Sequence, residues 1–260
     1  MTEKKPKEDR YDRLRAVNAF GYDIKWDDLR GKSVTVAGVG GLGMIAAEEL
    51  ARCGIGKLYL FDLDTVDVVN LNRLGFLPQD LGKPKVDVIA ARIRNIINPD
   101  VQAEPHHGDI MMPGNEDEFE ECVKKSDIVL MGLDNLPARM FVNQKCVNLG
   151  IPLMDAGASR SALSGHVQPV FPGKTACVAC RGFVRGTGDR EKGQRCTASL
   201  PTTMAIVASI QVQETLKYLL GFGKLISYVT YNALTGEFTS HETRLDPNCP
   251  ACKHVQRSKK

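Results

Sequence analysis

The stretch SVTVAGVGGLGMIAAEELARCGIGKLYLFDLD, residues 33–64, decides the fold. It begins with SVTVAG, an apolar, β-branched run that ends in glycines, as a strand buried in a parallel sheet does. MIAAEELARC follows with helix-forming residues, and KLYLFDLD is a second apolar strand. Gly38, Gly40 and Gly43 in GVGGLG fit the GxGxxG spacing, with Gly41 as an extra glycine. That spacing gives a tight turn in which backbone N–H groups and the positive end of a helix meet phosphate. Asp62 ends the second strand, where a carboxylate can accept hydrogen bonds from a ribose.

Outward from this unit the alternation continues. VDVIAARIRNI (86–96), EFEECVKK (118–125) and ARMFVNQKCVNLG (138–150) read as helices. VQAEPHH (101–107), DIVLMGLD (127–134) and IPLMDAG (151–157) read as strands between them. Such alternation predicts an α/β fold with a Rossmann-like, doubly wound, mostly parallel sheet. After residue 160 the texture changes: SGHVQPVFPG, LISYVTYN and GEFTSHETR predict antiparallel strands. The long helix PTTMAIVASIQVQETLKYLLG starts with Pro201 in its first turn and stops at Gly221. Residues 9–20 (DRYDRLRAVNAF) predict an N-terminal helix, and 181–195, rich in Gly and Arg, a crossover loop.

The 260 residues fit one large α/β domain, and a net charge of +3, concentrated in the two tails, points to no particular partner. No basic stripe speaks for nucleic acid, and no apolar run is long enough to span a membrane. The charged start does not read as a signal peptide, and eight cysteines without one point to the cytoplasm and to metal or catalytic use.

Polar residues cluster after the strands. VVNLNR places Asn70, Asn72 and Arg73 beyond the second strand, GKPK adds Lys83 and Lys85 at a helix start, and MGLDN supplies Asp134 and Asn135. Carboxyl ends of parallel strands face one crevice. There a cation pair and a carboxylate suit a triphosphate with Mg²⁺ better than a neutral nicotinamide. The glycine loop alone also fits an NAD-dependent oxidoreductase. Arg73 and Lys85 equally fit surface charges, and Asp134 fits a helix cap.

CVAC (Cys177, Cys180) and CPAC (Cys249, Cys252) form two knuckles with the spacing of a tetrahedral zinc site, which would pin the tail to the body. Disulfides are the alternative. Cys53, Cys122 and Cys146 lie among apolar helical residues as buried bystanders. Cys196, in GQRCTASLPTTM, has no CxxC partner and stands between an arginine and a helix start, which favours thiolate. Inert core residue and nucleophile both remain open for it on these grounds.

Taken together, these residues resemble the ubiquitin-like-modifier activating enzymes, most closely the branch serving the ubiquitin-fold modifier. The likeness runs from YDRL through RCGIGKLYLFDLDTVDVVNLNRL, INPDV, SGHVQPVFPGKTACVAC and CTASLPTTM to CPAC. The resemblance implies one ThiF/MoeB-like adenylation domain over 1–260, with 177–200 as zinc knuckle plus catalytic-cysteine crossover and 243–260 as a zinc-anchored tail. It implies that Gly41 and Asp62 contact ATP, that Asn70, Arg73 and Lys85 surround the phosphates, and that Asp134, beside Asn135, holds Mg²⁺. Arg13 would reach ATP across a homodimer interface. Cys177, Cys180, Cys249 and Cys252 would bind Zn²⁺, and Cys196 would form a thioester with a ubiquitin-like protein ending in glycine, ahead of a conjugating enzyme. The chain stops soon after CPAC, short of the family's C-terminal extension, and its 180–196 loop is shorter. A sulfur-carrier adenylyltransferase of the molybdopterin or thiamine type, which needs no enzyme thioester, is the alternative within the superfamily. A subunit that keeps the fold without catalysis is a further one.

Overall fold

Strand Ser33–Ala37 (β1) pairs in parallel with Lys57–Asp62 (β2) on one side and Ile128–Met131 (β4) on the other. The computed structural model describes residues 9–73, 75–181 and 198–257. Gln102–His107 (β3) adds in parallel to β2, and Leu153–Ala158 (β5) to β4. Ser164–Val170 (β6), Tyr228–Asn232 (β7) and Glu237–His241 (β8) then extend the sheet antiparallel. The order is β3-β2-β1-β4-β5-β6-β7-β8. The expected doubly wound, mostly parallel sheet with antiparallel C-terminal strands is therefore present.

The helices are Asp12–Arg15 (α1), Gly41–Cys53 (α2), Lys85–Arg92 (α3), Asn115–Lys124 (α4), Leu136–Leu149 (α5), Pro201–Leu220 (α6) and Lys253–Arg257 (α7). Each face of the sheet receives its own apolar layer. Val34, Val36, Leu58 and Leu60 pack with α2, α3 and α6, whereas Tyr59, Phe61, Val129 and Met131 face α4 and α5. Successive side chains on a strand point to opposite faces, so continuous apolar strands demand two covers. Each fully buried Leu or Ile contributes roughly 1.5–3 kcal/mol to holding them.

Two helix expectations need correction. Residues 9–20 form a single α-turn followed by a 3₁₀ segment, Ala16–Phe20, because Arg15 is drawn to Asp9, Asp12 and Asp27 and Gly21 turns left-handed at φ +90°. The helix expected over 86–96 is α-helical only to Arg92 and continues as a π turn, Ile93–Ile97. Among the described residues no helix is long and apolar enough to cross a membrane.

Candidate active site and metal centre

The chain leaves β1 through Gly38, whose φ of +86° only glycine adopts readily. A Cβ on Gly43 would lie 1.8 Å from the Gly38 carbonyl oxygen, so the first turn of α2 presses directly on the loop. No side chain caps that helix. Its first N–H groups therefore open toward the carboxyl ends of β1, β2 and β4, where the strand order reverses.

Asp62, at the end of β2, braces this loop. One carboxylate oxygen accepts from the Val39 N–H at 2.8 Å, and the other from the Asp64 N–H at 2.9 Å. Burial raises its pKa, and the positive charge of Lys85 acts against that rise. Lys85 is 4% exposed and its Nζ lies 2.6 Å from Asp64 Oδ2. Backbone bonds hold it there: the Val66 N–H donates to Lys83 O, and the Lys85 N–H to Asp64 O. Arg73 reaches the same place, with Nη1 3.7 Å from where a Cβ on Gly40 would stand. The structure thus gathers Gly38, Gly40, Gly41, Gly43, Asp62, Arg73 and Lys85 around one opening.

The other four expected residues have different placements. Asn70 is 3% exposed, and its Oδ1 accepts from the Asp67 N–H, closing the turn after β2. Asn135 caps α5 by accepting from the Ala138 N–H at 2.9 Å, so the cap is Asn135 and not Asp134. Asp134 is exposed beside it. Arg13 sits on α1, near the C-terminal end of α2, because the Tyr11 ring packs against Gly54. The thirteen residues of α2 span about 20 Å, so Arg13 does not join the crevice of its own chain.

A small cavity beside the loop is lined by Gly38, Asp62, Leu133 and Asn135, and by Gly108 to Met111 after β3. That last segment escaped the sequence reading. Its position just past the carboxyl end of a parallel strand was the available signal.

Cys196 and the loop before it lie outside the described residues. Cys122 and Cys146 are buried and Cys53 is half-buried, and burial raises all three thiols, that of Cys53 to about 11. These three are core residues, as expected.

The sulfurs of Cys177, Cys180, Cys249 and Cys252 lie within 4.8 Å of one another. Cys177 is 3.8 Å from Cys180 and 3.7 Å from Cys249, and Cys180 is 3.4 Å from Cys252. A disulfide needs about 2.05 Å, whereas a tetrahedral site with metal–sulfur bonds of about 2.3 Å has edges of about 3.8 Å. The four thiols therefore fit a metal ion. Asn143, unnoticed in the sequence, supports them from α5: its amide donates toward Cys177 Sγ at 3.7 Å and its oxygen accepts from the Val178 N–H. Gln144 ties the second knuckle through Ala251 O.

Between the metal knuckle and the crevice lies a charged network that local sequence does not announce. Asp155 on β5 is fully buried and receives Arg139 at 2.5 Å, Arg181 at 2.7 Å and His166 at 3.2 Å. Burial would raise its pKa, but Arg139, His166 and Arg181 outweigh that and hold it far below the carboxylate range. Arg139 also donates to Leu133 O, the residue before Asp134, and Arg181 lies over the Tyr228 ring.

The sequence profile of the ThiF family matches residues 11–251. The chain belongs to the ThiF family. Within it, the ubiquitin-like modifier-activating enzyme 5 of Dictyostelium discoideum is 42% identical over 252 residues, covering 92% of this chain and 66% of that protein. The Caenorhabditis elegans protein of the same name is 44% identical over 262 residues, 96% of this chain and 62% of that one. The chain thus spans slightly under two thirds of these relatives' length. E. coli MccB superposes with a TM-score of 0.80 at 22% identity, over 95% of this chain and 73% of MccB, which shows the shared fold. Family membership leaves the nicotinamide reading of the glycine loop without support.

Proposed function

We propose that this ThiF family chain activates a ubiquitin-like protein, first adenylating its C-terminal glycine and then taking it as a thioester on Cys196. The observation that carries the proposal is the convergence of an uncapped glycine-loop helix, Asp62, Lys85 and Arg73 at the switch point of the sheet. The names of the relatives agree with it.

A carboxylate resists attack because oxide is a poor leaving group. In the first step the glycine carboxylate oxygen bonds to the α-phosphorus of ATP, and the bond to pyrophosphate breaks. Loop N–H groups, Arg73 and Lys85 hold the phosphates and offset charge that grows on the departing pyrophosphate. Asp62 fixes the loop and meets the ribose. Asp134 would hold Mg²⁺, which would supply neutralisation of phosphate charge. In the second step Cys196 sulfur bonds to the acyl carbon and AMP leaves.

The four cysteines would hold Zn²⁺ as a closed structural site, since four thiolates leave no open position. On this reading residues 1–260 act as one adenylation domain in a homodimer that receives Arg13 from the second copy. It works in the cytoplasm with a conjugating enzyme downstream, where reduced thiols persist.

Incubation with Mg·ATP and ubiquitin-like proteins ending in glycine should give a conjugate that a thiol reductant releases, and Cys196→Ala should give none. A conjugate surviving in Cys196→Ala contradicts the nucleophile assignment. Adenylate formation without any conjugate in the natural chain favours the sulfur-carrier type instead.

A further inference from the structure

The turn that joins β4 to α5 rests directly on the glycine loop. Leu133 Cδ2 lies 3.0 Å, and the Gly132 carbonyl 3.2 Å, from where a Cβ on Gly38 would stand. Leu133 and Asn135 line the small cavity that Gly38 and Asp62 also line. Asp62 holds the ribose position of this fold, so the turn is the wall on the nucleoside side of the phosphate loop. A displacement of about 1 Å in such a wall changes how a nucleotide seats.

Arg139, the fourth residue of α5, holds that turn from behind. Its Nη1 donates to Leu133 O at 2.9 Å and to Ala156 O at 3.0 Å, and its Nη2 donates to Asp155 Oδ1 at 2.5 Å. The side chain is 13% exposed, so these bonds form largely out of water, where they restrain strongly. β5 is shaped to receive the guanidinium. Leu153, Asp155 and Gly157 alternate onto the face of β5 that packs with α5. A Cβ on Gly157 would stand 3.1 Å from Arg139 Nη1 and 2.8 Å from His166 Cε1. Gly157 has no positive φ, so its glycine serves space and not backbone freedom. Arg181 takes the other oxygen of Asp155 at 2.7 Å from the metal-knuckle side. Among the described residues, Arg139 is what joins that carboxylate to the turn.

We infer that Arg139 is a positioning residue for nucleotide binding: anchored by Asp155 and given room by Gly157, it holds the Leu133–Asn135 wall against the glycine loop. It acts on the nucleotide through that wall and not by contact. The inference rests on the adenylation reading for the identity of the nucleotide, whereas the hold on the wall rests on the geometry alone. An arginine suits the task because its planar fork spans two carbonyls and a carboxylate at once, which the single nitrogen of lysine does not. The aspartate and glycine of IPLMDAG thereby acquire a joint role.

The test compares Arg139→Lys, which keeps a charge opposite Asp155, with Arg181→Gln, which disturbs the same carboxylate from the other side. In calorimetry Arg139→Lys should weaken AMP and Mg·ATP about tenfold each, and Arg181→Gln should change neither. KM for ATP in pyrophosphate exchange should rise by the same factor at nearly constant kcat, because the wall holds nucleotide before and during the transfer alike. Amide hydrogen exchange in the free chain should quicken over residues 132–135 in Arg139→Lys and not in Arg181→Gln. Where Arg139→Lys does not fold, Gly157→Ala, which crowds the guanidinium and removes no charge, is read in its place. Unchanged AMP affinity overturns the inference and leaves adenylation standing. So does an equal loss in Arg181→Gln, which would make the whole network structural. Quickened exchange confined to Arg139→Lys, in a chain that binds neither AMP nor Mg·ATP, keeps the hold on the wall and removes the adenylation reading.

Discussion

Asp155 and Arg73 are both charged side chains that the fold draws in from solvent, and the fold treats them in opposite ways. Asp155 is fully buried and both of its oxygens are taken, one by Arg139 and the other by Arg181 and His166. Arg73 stands at the glycine loop with no ion pair among the described residues; its buried Nε lacks a partner, as does that of Arg181, but Arg181 has its carboxylate. A closed network of charges states that the fold needs those groups for itself. A cation brought to a crevice without a counter-charge among the described residues is free to meet an anionic ligand. The two regions are coupled through Arg139, which holds Leu133 O just before Asp134.

This contrast breaks most visibly at Asp155. Asp155→Ala leaves Arg139 and Arg181 buried without their carboxylate and should cost about 3–5 kcal/mol of stability in urea unfolding. A loss under 1 kcal/mol would show that the network is dispensable to the fold. The metal knuckle is the intermediate case, closed in geometry but completed only by an ion. Chelation, or Cys249→Ser, should remove one equivalent of zinc by atomic absorption and lower the melting temperature by several degrees, at about 2–4 °C per kcal/mol for a chain of this size. Full metal retention in Cys249→Ser would contradict the four-ligand assignment. Arg73→Ala is expected to have the smallest effect on the fold, within about 0.5 kcal/mol, since Arg73 forms no ion pair among the described residues. Its Mg·ATP affinity should nevertheless fall at least tenfold. Lost stability with unchanged affinity would erase the distinction between the two regions.

The sheet was legible in the sequence because parallel strands buried on both faces are apolar throughout, and GVGGLG marks where β1 turns into α2. The knuckles were legible because ligand spacing in CxxC is local. What the chain brings together over long separations was not. Asp155 meets residues 16, 26 and 11 positions away on three different elements, and nothing in IPLMDAG marks its aspartate as buried. Asn70 follows a strand in the sequence, but only the folded turn shows that its side-chain oxygen accepts from the Asp67 N–H. Asn143 sits in an ordinary helical pattern, and its amide faces Cys177 only once α5 has packed on the knuckle.

The central claim is that the opening between β1, β2 and β4 transfers AMP to a protein carboxylate. Exchange of labelled pyrophosphate into ATP measures the reverse of that transfer. Exchange should require both Mg²⁺ and a ubiquitin-like protein with a free C-terminal glycine, persist in Cys196→Ala, and fall about 10²- to 10³-fold in Lys85→Ala. Exchange absent with every glycine-terminated carrier, or undiminished in Lys85→Ala, would contradict it.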